Sequence, residues 1–595
     1  MKRTVSTLIL GLLATTALAE PNPMRNAYFG ETHMHTALSL DAYIGGARLM
    51  PSDSLRFAKG GPVLVNGRHK QLKRPLDFAA VSDHVEYLGE MYSTIFPDAP
   101  GYDQEDLQKL RTLESLEDKQ NWFFKYVVSN NRGDNPSHPP FYQGPETTKS
   151  GWQIIVDAAE EHNDPGTFTA FIAFEWSAAP NAGNMHRNVI FRDSTVPELP
   201  FSSYDSNKVE ELWDWLQQTA DGGSTLLAIP HNSNASKQQM FPVVDSFGDA
   251  LDVDYATTRQ KWEPLIEMMQ IKGNSEVHEA FWTADEFADF ENANSIQKNS
   301  NRFFHKRDFV REGLKLGLAA QQDLGVNPYK LGFIGGTDNH NGLTSDVAED
   351  DFVGGHGPED GSVDRRRKAG VGGWIDGVDL SIGSLAGVWA EENTRASIWD
   401  AMKRRETFAT SGPRIKVRMF GGAELSAPAD VAAMVEDGYA GGVPMGGDLT
   451  SGAAAPTFTV YAEKDPMGAN LDRIQIIKGW VDGDGEIHET IIDVVWSGTR
   501  TPDDAGKLPS VGNTVDLTTA LYTNDIGAPT LLGSWTDPDF DPSEHAFYYA
   551  RAIEIPTPRW TTFDAVRNGL PLLREVKSTI QERAWGSPIW YSPEG

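Results

Sequence analysis

The chain has 595 residues, a formal net charge of −32 and no cysteine. Without thiols there is no disulfide to staple the fold, no cysteine nucleophile and no soft-metal ligand, so stability must come from a large core. The length allows two or more domains, and the charge argues against nucleic acid and anionic membranes as partners outside a local basic patch.

The first residues, MKRTVSTLILGLLATTALAE, place Lys2 and Arg3 ahead of an apolar run and Ala17-Leu18-Ala19 after it. This is the layout of a cleavable export signal over 1–19, with cleavage after Ala19 and a periplasmic or secreted mature chain from Glu20. No later window is apolar enough to span a bilayer.

From about 26 to 334, short β-branched or aromatic runs alternate with helical patterns, as in strand-helix units around a parallel sheet or barrel. The predicted strands are Asn26–Gly30, Asp77–Ser82, Thr169–Phe174, Asn188–Phe191, Thr225–Ile229, Leu265–Ile271 and Leu331–Ile334. Predicted helices include Val209–Thr219, with Leu212, Trp215 and Leu216 on one face, and Asp308–Leu324. The polar and aromatic stretch of about 88–165 reads as a helical insertion covering a site, and the Gly- and Asp-rich 341–383 as a long loop. Period-two segments separated by Gly, Pro and Asp turns then predict a C-terminal antiparallel, sandwich-like β domain over 413–595, after a first domain of 20–412.

Almost every predicted strand of the first half meets a metal-ligating residue type. GETHMHT carries His33 and His35, which face one side of an extended chain. VSDHVE carries Asp83, His84 and Glu86; FEWS carries Glu175; NMHRNVIF carries His186 before its strand; IPHNSN carries His231; GGTDNHNG carries Asp338 and His340. Six of the 14 histidines thus lie at strand ends or entries, beside Asp and Glu, as at the mouth of a barrel. Imidazole and carboxylate without thiolate suit zinc, manganese or iron.

These motifs, in this order over about 26–341, resemble the PHP (polymerase and histidinol phosphatase) superfamily. The whole chain, with GETHMHT and RRETFATSGPRI, is similar to a branch of large exported bacterial proteins catalogued as a domain of unknown function. The resemblance implies a distorted seven-stranded β/α barrel and two or three divalent ions. His33, His35, Glu175 and Asp338 would hold one ion, Glu175 would bridge to a second on His186 and His231, and His84 and His340 would serve a third. At this third site the family usually adds a histidine where this chain has Asp41.

The implied chemistry is hydrolysis of a phosphate ester by a water bridged between cations, with Glu175, Asp338 and Arg187 as catalytic groups and Asp83 fixing a histidine tautomer. Lys272, Arg404, Arg405 and Arg414 are the candidates for holding an anionic small-molecule substrate, with Glu276 and His278 in second rank and Glu86 as a solvated turn residue. A metal-dependent hydrolase of a non-phosphate ester or amide, and a non-catalytic glycan- or metal-binding protein, are the alternatives.

Overall fold

The computed structural model describes residues 20–593 apart from 66–67, 134, 344–346, 358–359, 369, 372–373, 450–453 and 505. The leader over 1–19 lies outside the described residues, and among those described no helix is long and apolar enough to cross a membrane.

The principal strands, numbered here in chain order, begin with β1 (Asn26–Glu31), β2 (Phe78–Val81), β3 (Thr169–Trp176), β4 (Arg187–Phe191), β5 (Leu226–Pro230), β6 (Leu265–Glu267) and β7 (Gly332–Ile334). They continue with β8 (Leu385–Ala390), β9 (Thr407–Thr410), β10 (Lys416–Gly422), β11 (Thr457–Glu463), β12 (Leu471–Val481), β13 (Ile487–Trp496), β14 (Thr530–Thr536), β15 (His545–Glu554), β16 (Arg583–Gly586) and β17 (Ile589–Tyr591). The fold is mixed α/β around one large mixed sheet of 13 strands. β3, TAFIAFEW, is buried at every position, so both of its faces are covered and its sequence is continuously apolar instead of alternating.

β1, β2 and β3 run parallel, but β4 is antiparallel to both β3 and β5, which corrects the expectation of a uniformly parallel set. The inversion matters for function. It puts the N-terminal end of β4 at the edge where β3 and β5 have their C-terminal ends, pairing Trp176 with Arg187 and Arg187 with Pro230. A residue entering β4 therefore meets residues leaving its neighbours. β6 and β7 form a separate parallel pair. The segment after β7 joins the segment after β1, with Asp338 N donating to His33 O (2.8 Å) and His35 N to Asn339 O (2.9 Å).

The insertion after β2 is helical, with helices Leu88–Ile95, Glu105–Arg111, Leu116–Phe123 and Pro145–His162. The helix Val209–Asp221 buries Val209, Leu212, Trp213 and Leu216, and the half-buried Trp215 packs on Phe174 and Phe201 as well, so both tryptophans face the core. The described parts of 341–383 hold only short elements.

The C-terminal region is β-rich. β10, β11 and β14 build a four-stranded sheet with Val443–Pro444, while β12, β13, β15 and β16 belong to the large sheet through the β9–β16 ladder. The large sheet thus passes across position 412. The layers meet at Phe458 and Tyr548, whose rings lie 4.3 Å apart.

A buried ion network joins the two halves. Glu276 accepts from Arg311 Nη2 (2.6 Å), Tyr549 Oη (2.6 Å) and Trp585 Nε1 (2.7 Å), and Arg551 Nη2 meets Asp285 Oδ1 at 2.8 Å. Burial would raise the Glu276 carboxyl, but Arg551 and Arg311 hold it down at about 2. Removing one partner of such a network leaves a bare buried charge, so Arg551→Met is expected to cost about 3–5 kcal/mol in chemical unfolding. Because the folded-state pKa is depressed, the stabilisation is present above the ordinary value of 4.5 and is lost as pH falls toward about 2. An unchanged unfolding midpoint in the variant would contradict this account.

Candidate metal centre

Beyond β1 the chain stays extended, so His33 and His35 point the same way and their Nε2 atoms lie 3.4 Å apart. Glu175 Oε2, from the end of β3, is 3.1 Å from His33 Nε2 and 3.2 Å from His35 Nε2. Asp338 Oδ1 is 3.3 Å from the first and 3.2 Å from the second. Four donors at about 2.0–2.1 Å from one tetrahedral ion stand roughly 3.3–3.4 Å from one another. The five measured contacts among these side chains, 3.1–3.4 Å, are of that order, so they converge closely enough to surround a cation.

The second oxygen of Glu175 faces another set. Oε1 lies 2.6 Å from His186 Nδ1, 3.4 Å from His231 Nε2 and 3.4 Å from His84 Nδ1. Among the described residues, neither ring nitrogen of buried His231 has a hydrogen-bond partner. The third set forms around Asp41, whose Oδ2 is 3.3 Å from His84 Nε2 and 3.2 Å from His340 Nε2. Asp41 thus stands with both histidines named for that site. His35, His84 and His340 also bring nitrogens within one ion's reach.

The electrostatics suit cations. Burial would raise Asp41, Glu175 and Asp338, yet His84 and His340 hold Asp41, His84, His231 and His186 hold Glu175, and Lys272 and His33 hold Asp338, all well below the carboxylate range. Burial pushes His186 and His231 down to about 4 and His340 to about 3, leaving them neutral with a lone pair to donate near pH 7. Burial also opposes protonation of His33 and His84, but Asp338 and Glu267 raise the first and Asp41 and Glu175 raise the second. Divalent ions bound here would replace those protons. The donor chemistry and the spacing therefore fit metal ions.

The surroundings fix the ligands. His33 Nδ1 meets Glu267 Oε2 at 2.9 Å, so the ring donates there and turns the Nε2 lone pair inward. His35 Nδ1 meets Ser39 Oγ at 3.0 Å, and Ser39 donates to Asp83 Oδ1 at 2.7 Å. Asp83 also accepts from Thr36 N (2.7 Å) and Oγ1 (2.6 Å), so it acts on the His35 tautomer through the serine. Asp338 has φ +57°, a left-handed conformation that aspartate tolerates better than most residues. Its Oδ2 accepts from Gln270 Nε2 (2.6 Å) and pairs with Lys272. Gly336 is needed for close approach, because a Cβ there would lie 2.4 Å from Glu267 Oε2 and 2.7 Å from the His33 Cβ.

The site opens into a cavity of about 90 Å³ lined by Asp41, His84, His186, His231, Lys272, Asp338 and His340. Its far wall comes from the helical insertion, through Phe123, Asn131 and Arg132. His356, stacked on His340 at 5.2 Å, and Trp374 complete it.

Several predicted residues lie elsewhere. Arg187 is fully buried, with Nε 3.0 Å from Glu263 Oε1, because the residue after His186 faces the opposite side of β4. Arg404 pairs with Glu406, Arg405 donates to Gly446 O, and Arg414 donates to the carbonyls of Arg74 and Pro75, none of them at the cavity. Glu276 serves the ion network and His278 binds Asn294. Glu86 is not solvated but buried, accepting from Ser177 N (3.0 Å) and Ser203 N (2.7 Å). Sequence reading missed Glu267, Ser39, Arg132, His356 and Trp374. Only Ser39, two residues before Asp41, carried a local signal.

Two substitutions test the geometry. Glu175→Gln is expected to lower the bound metal by at least one ion per chain in elemental analysis. Glu267→Gln is expected to weaken metal affinity by roughly 10–100-fold, as loss of an imidazole's outer partner does. Full metal retention in both would show that these oxygens do not organise the centre.

The family described as "Protein of unknown function (DUF3604)" matches residues 22–593. No curated protein and no solved structure matches the chain. The match runs through all the ligand-bearing segments and the C-terminal strands alike, and the chain belongs to this family.

Proposed function

We propose that the protein is an exported, metal-dependent phosphoesterase whose ligand-bearing strands form a barrel of the PHP type. The observation that carries this reading is Glu175, whose two oxygens face two separate sets of histidines. A non-catalytic metal site has no need of a carboxylate shared between cations. When bound, paired divalent ions lower the pKa of a shared water and take up charge on the oxygens of the group being transferred.

The chain's own residues do the rest. Glu267 and Ser39 orient His33 and His35. Lys272 and Gln270 keep Asp338 ionised and fixed at Oδ2, leaving Oδ1 toward the histidines. The insertion wall reduces the water around the reacting group, which strengthens electrostatic interactions there. Lys272 and Arg132 at the cavity favour an anionic substrate over a neutral ester or amide. The leader with Lys2, Arg3 and Ala17-Leu18-Ala19 supports export.

The test is a panel of phosphate mono-, di- and triesters beside carboxylic esters and amides, assayed on metal-loaded protein. At least one phosphate ester should turn over. Replacing His33 and His35 together by Ala should lower kcat by about a thousandfold or more, roughly 4 kcal/mol in the barrier, without unfolding the chain. Residual activity within about tenfold, only about 1.4 kcal/mol, would remove these residues from catalysis.

A further inference from the structure

Buried arginines in this protein commonly have a carboxylate partner: Arg187 has Glu263, Arg311 has Glu276, Arg551 has Asp285, Arg559 has Glu291 and Arg366 has Asp564. Two arginines near the metal cavity, the half-buried Arg132 and the buried Arg302, do not. Arg132 lines the cavity wall, and among the described residues no carboxylate lies within ion-pair distance of its guanidinium; the charge acting on it most is that of Asp41, itself a metal-ligand candidate. Arg302 is only 4% exposed and makes one hydrogen bond, Nε to Ala182 O at 2.8 Å. It too has no carboxylate within that distance among the described residues.

Trp374, which lines the cavity with Arg132, ties Arg302 to the metal centre. The Arg302 guanidinium lies 5.2 Å from the Trp374 ring centroid and Lys272 Nζ 5.5 Å from the same ring, while Lys272 also pairs with Asp338. The indole Nε1–H is buried and has no acceptor among the described residues. Burial first, and then the charge of Arg132, hold Arg302 down at about 9. A buried guanidinium and an unused buried N–H donor beside a cavity are costly unless an anion completes them.

We propose that Arg132 and Arg302, backed by Trp374, form an oxyanion subsite distinct from the metal centre, so that the substrate carries a second negatively charged group away from the bond that is cut. Planar guanidinium forks suit the paired oxygens of a carboxylate, sulfate or phosphate. This deepens the phosphoesterase reading and rests on it only for the nature of the bond cut.

Calorimetric titration of metal-loaded protein with sulfate separates the two ideas. Wild type should bind sulfate, and Arg132→Gln should weaken or remove one binding event by roughly tenfold or more with metal content unchanged. Arg302→Gln should do the same if its melting temperature shows that it folds, and Arg414→Gln, away from the cavity, should leave the isotherm as it is. In parallel, the wild-type KM for 4-carboxyphenyl phosphate should be lower than for phenyl phosphate, and Arg132→Gln should erase that preference. An isotherm unaltered in Arg132→Gln, or an unaltered preference between the two esters, overturns the subsite while leaving the phosphoesterase intact. Loss of a sulfate event in protein that cleaves neither ester supports the subsite and removes the phosphoesterase reading.

Discussion

A buried carboxylate with both oxygens turned to imidazole nitrogens is the contact around which this molecule is organised. Glu175 lies at the end of a strand buried at every position, where neither face sees water, and its two oxygens address two sets of histidines from four different segments. Burying that charge beside Asp41 and Asp338 is unfavourable in itself. Divalent cations at the converging nitrogens would compensate it, and the 3.1–3.4 Å contacts around His33 and His35 leave donors placed to hold one.

The backbone is shaped to deliver the donors. The inverted strand β4 is the clearest case, since only its reversed direction brings His186 beside residues that leave β3 and β5. The left-handed turn at Asp338 and the bare Cα of Gly336 let the last ligand segment lie against the first. The long sheet then carries this edge into the C-terminal strands, where buried arginine–carboxylate pairs lock the halves together. The cavity wall supplied by the helical insertion is a separate layer laid over a rigid base.

Much of this was legible in the sequence. The ligands could be read because each sits next to an apolar run, and a strand end is a fixed point whatever the fold around it. Asp41 was readable from its spacing to His35, and the structure places it with His84 and His340. The cationic groups were not readable. Arg187 follows a ligand in sequence, but period-two alternation sends it to the opposite face, against Glu263. Arg132, Arg302 and Trp374 come from irregular segments with no periodicity, and only folding brings them together. Glu86 resembled a turn residue because its two backbone donors, Ser177 and Ser203, are remote in sequence. The mixed direction of the sheet was equally hidden, because burial pattern reveals a strand and not its orientation.

Anomalous X-ray scattering from crystals grown with zinc or manganese tests the central claim most directly. The account predicts one peak within about 2.0–2.3 Å of His33 Nε2, His35 Nε2 and a carboxylate oxygen of Asp338, and a second sharing Glu175 with His186 and His231. Absence of any peak in this cluster, from protein never exposed to chelator, would contradict it.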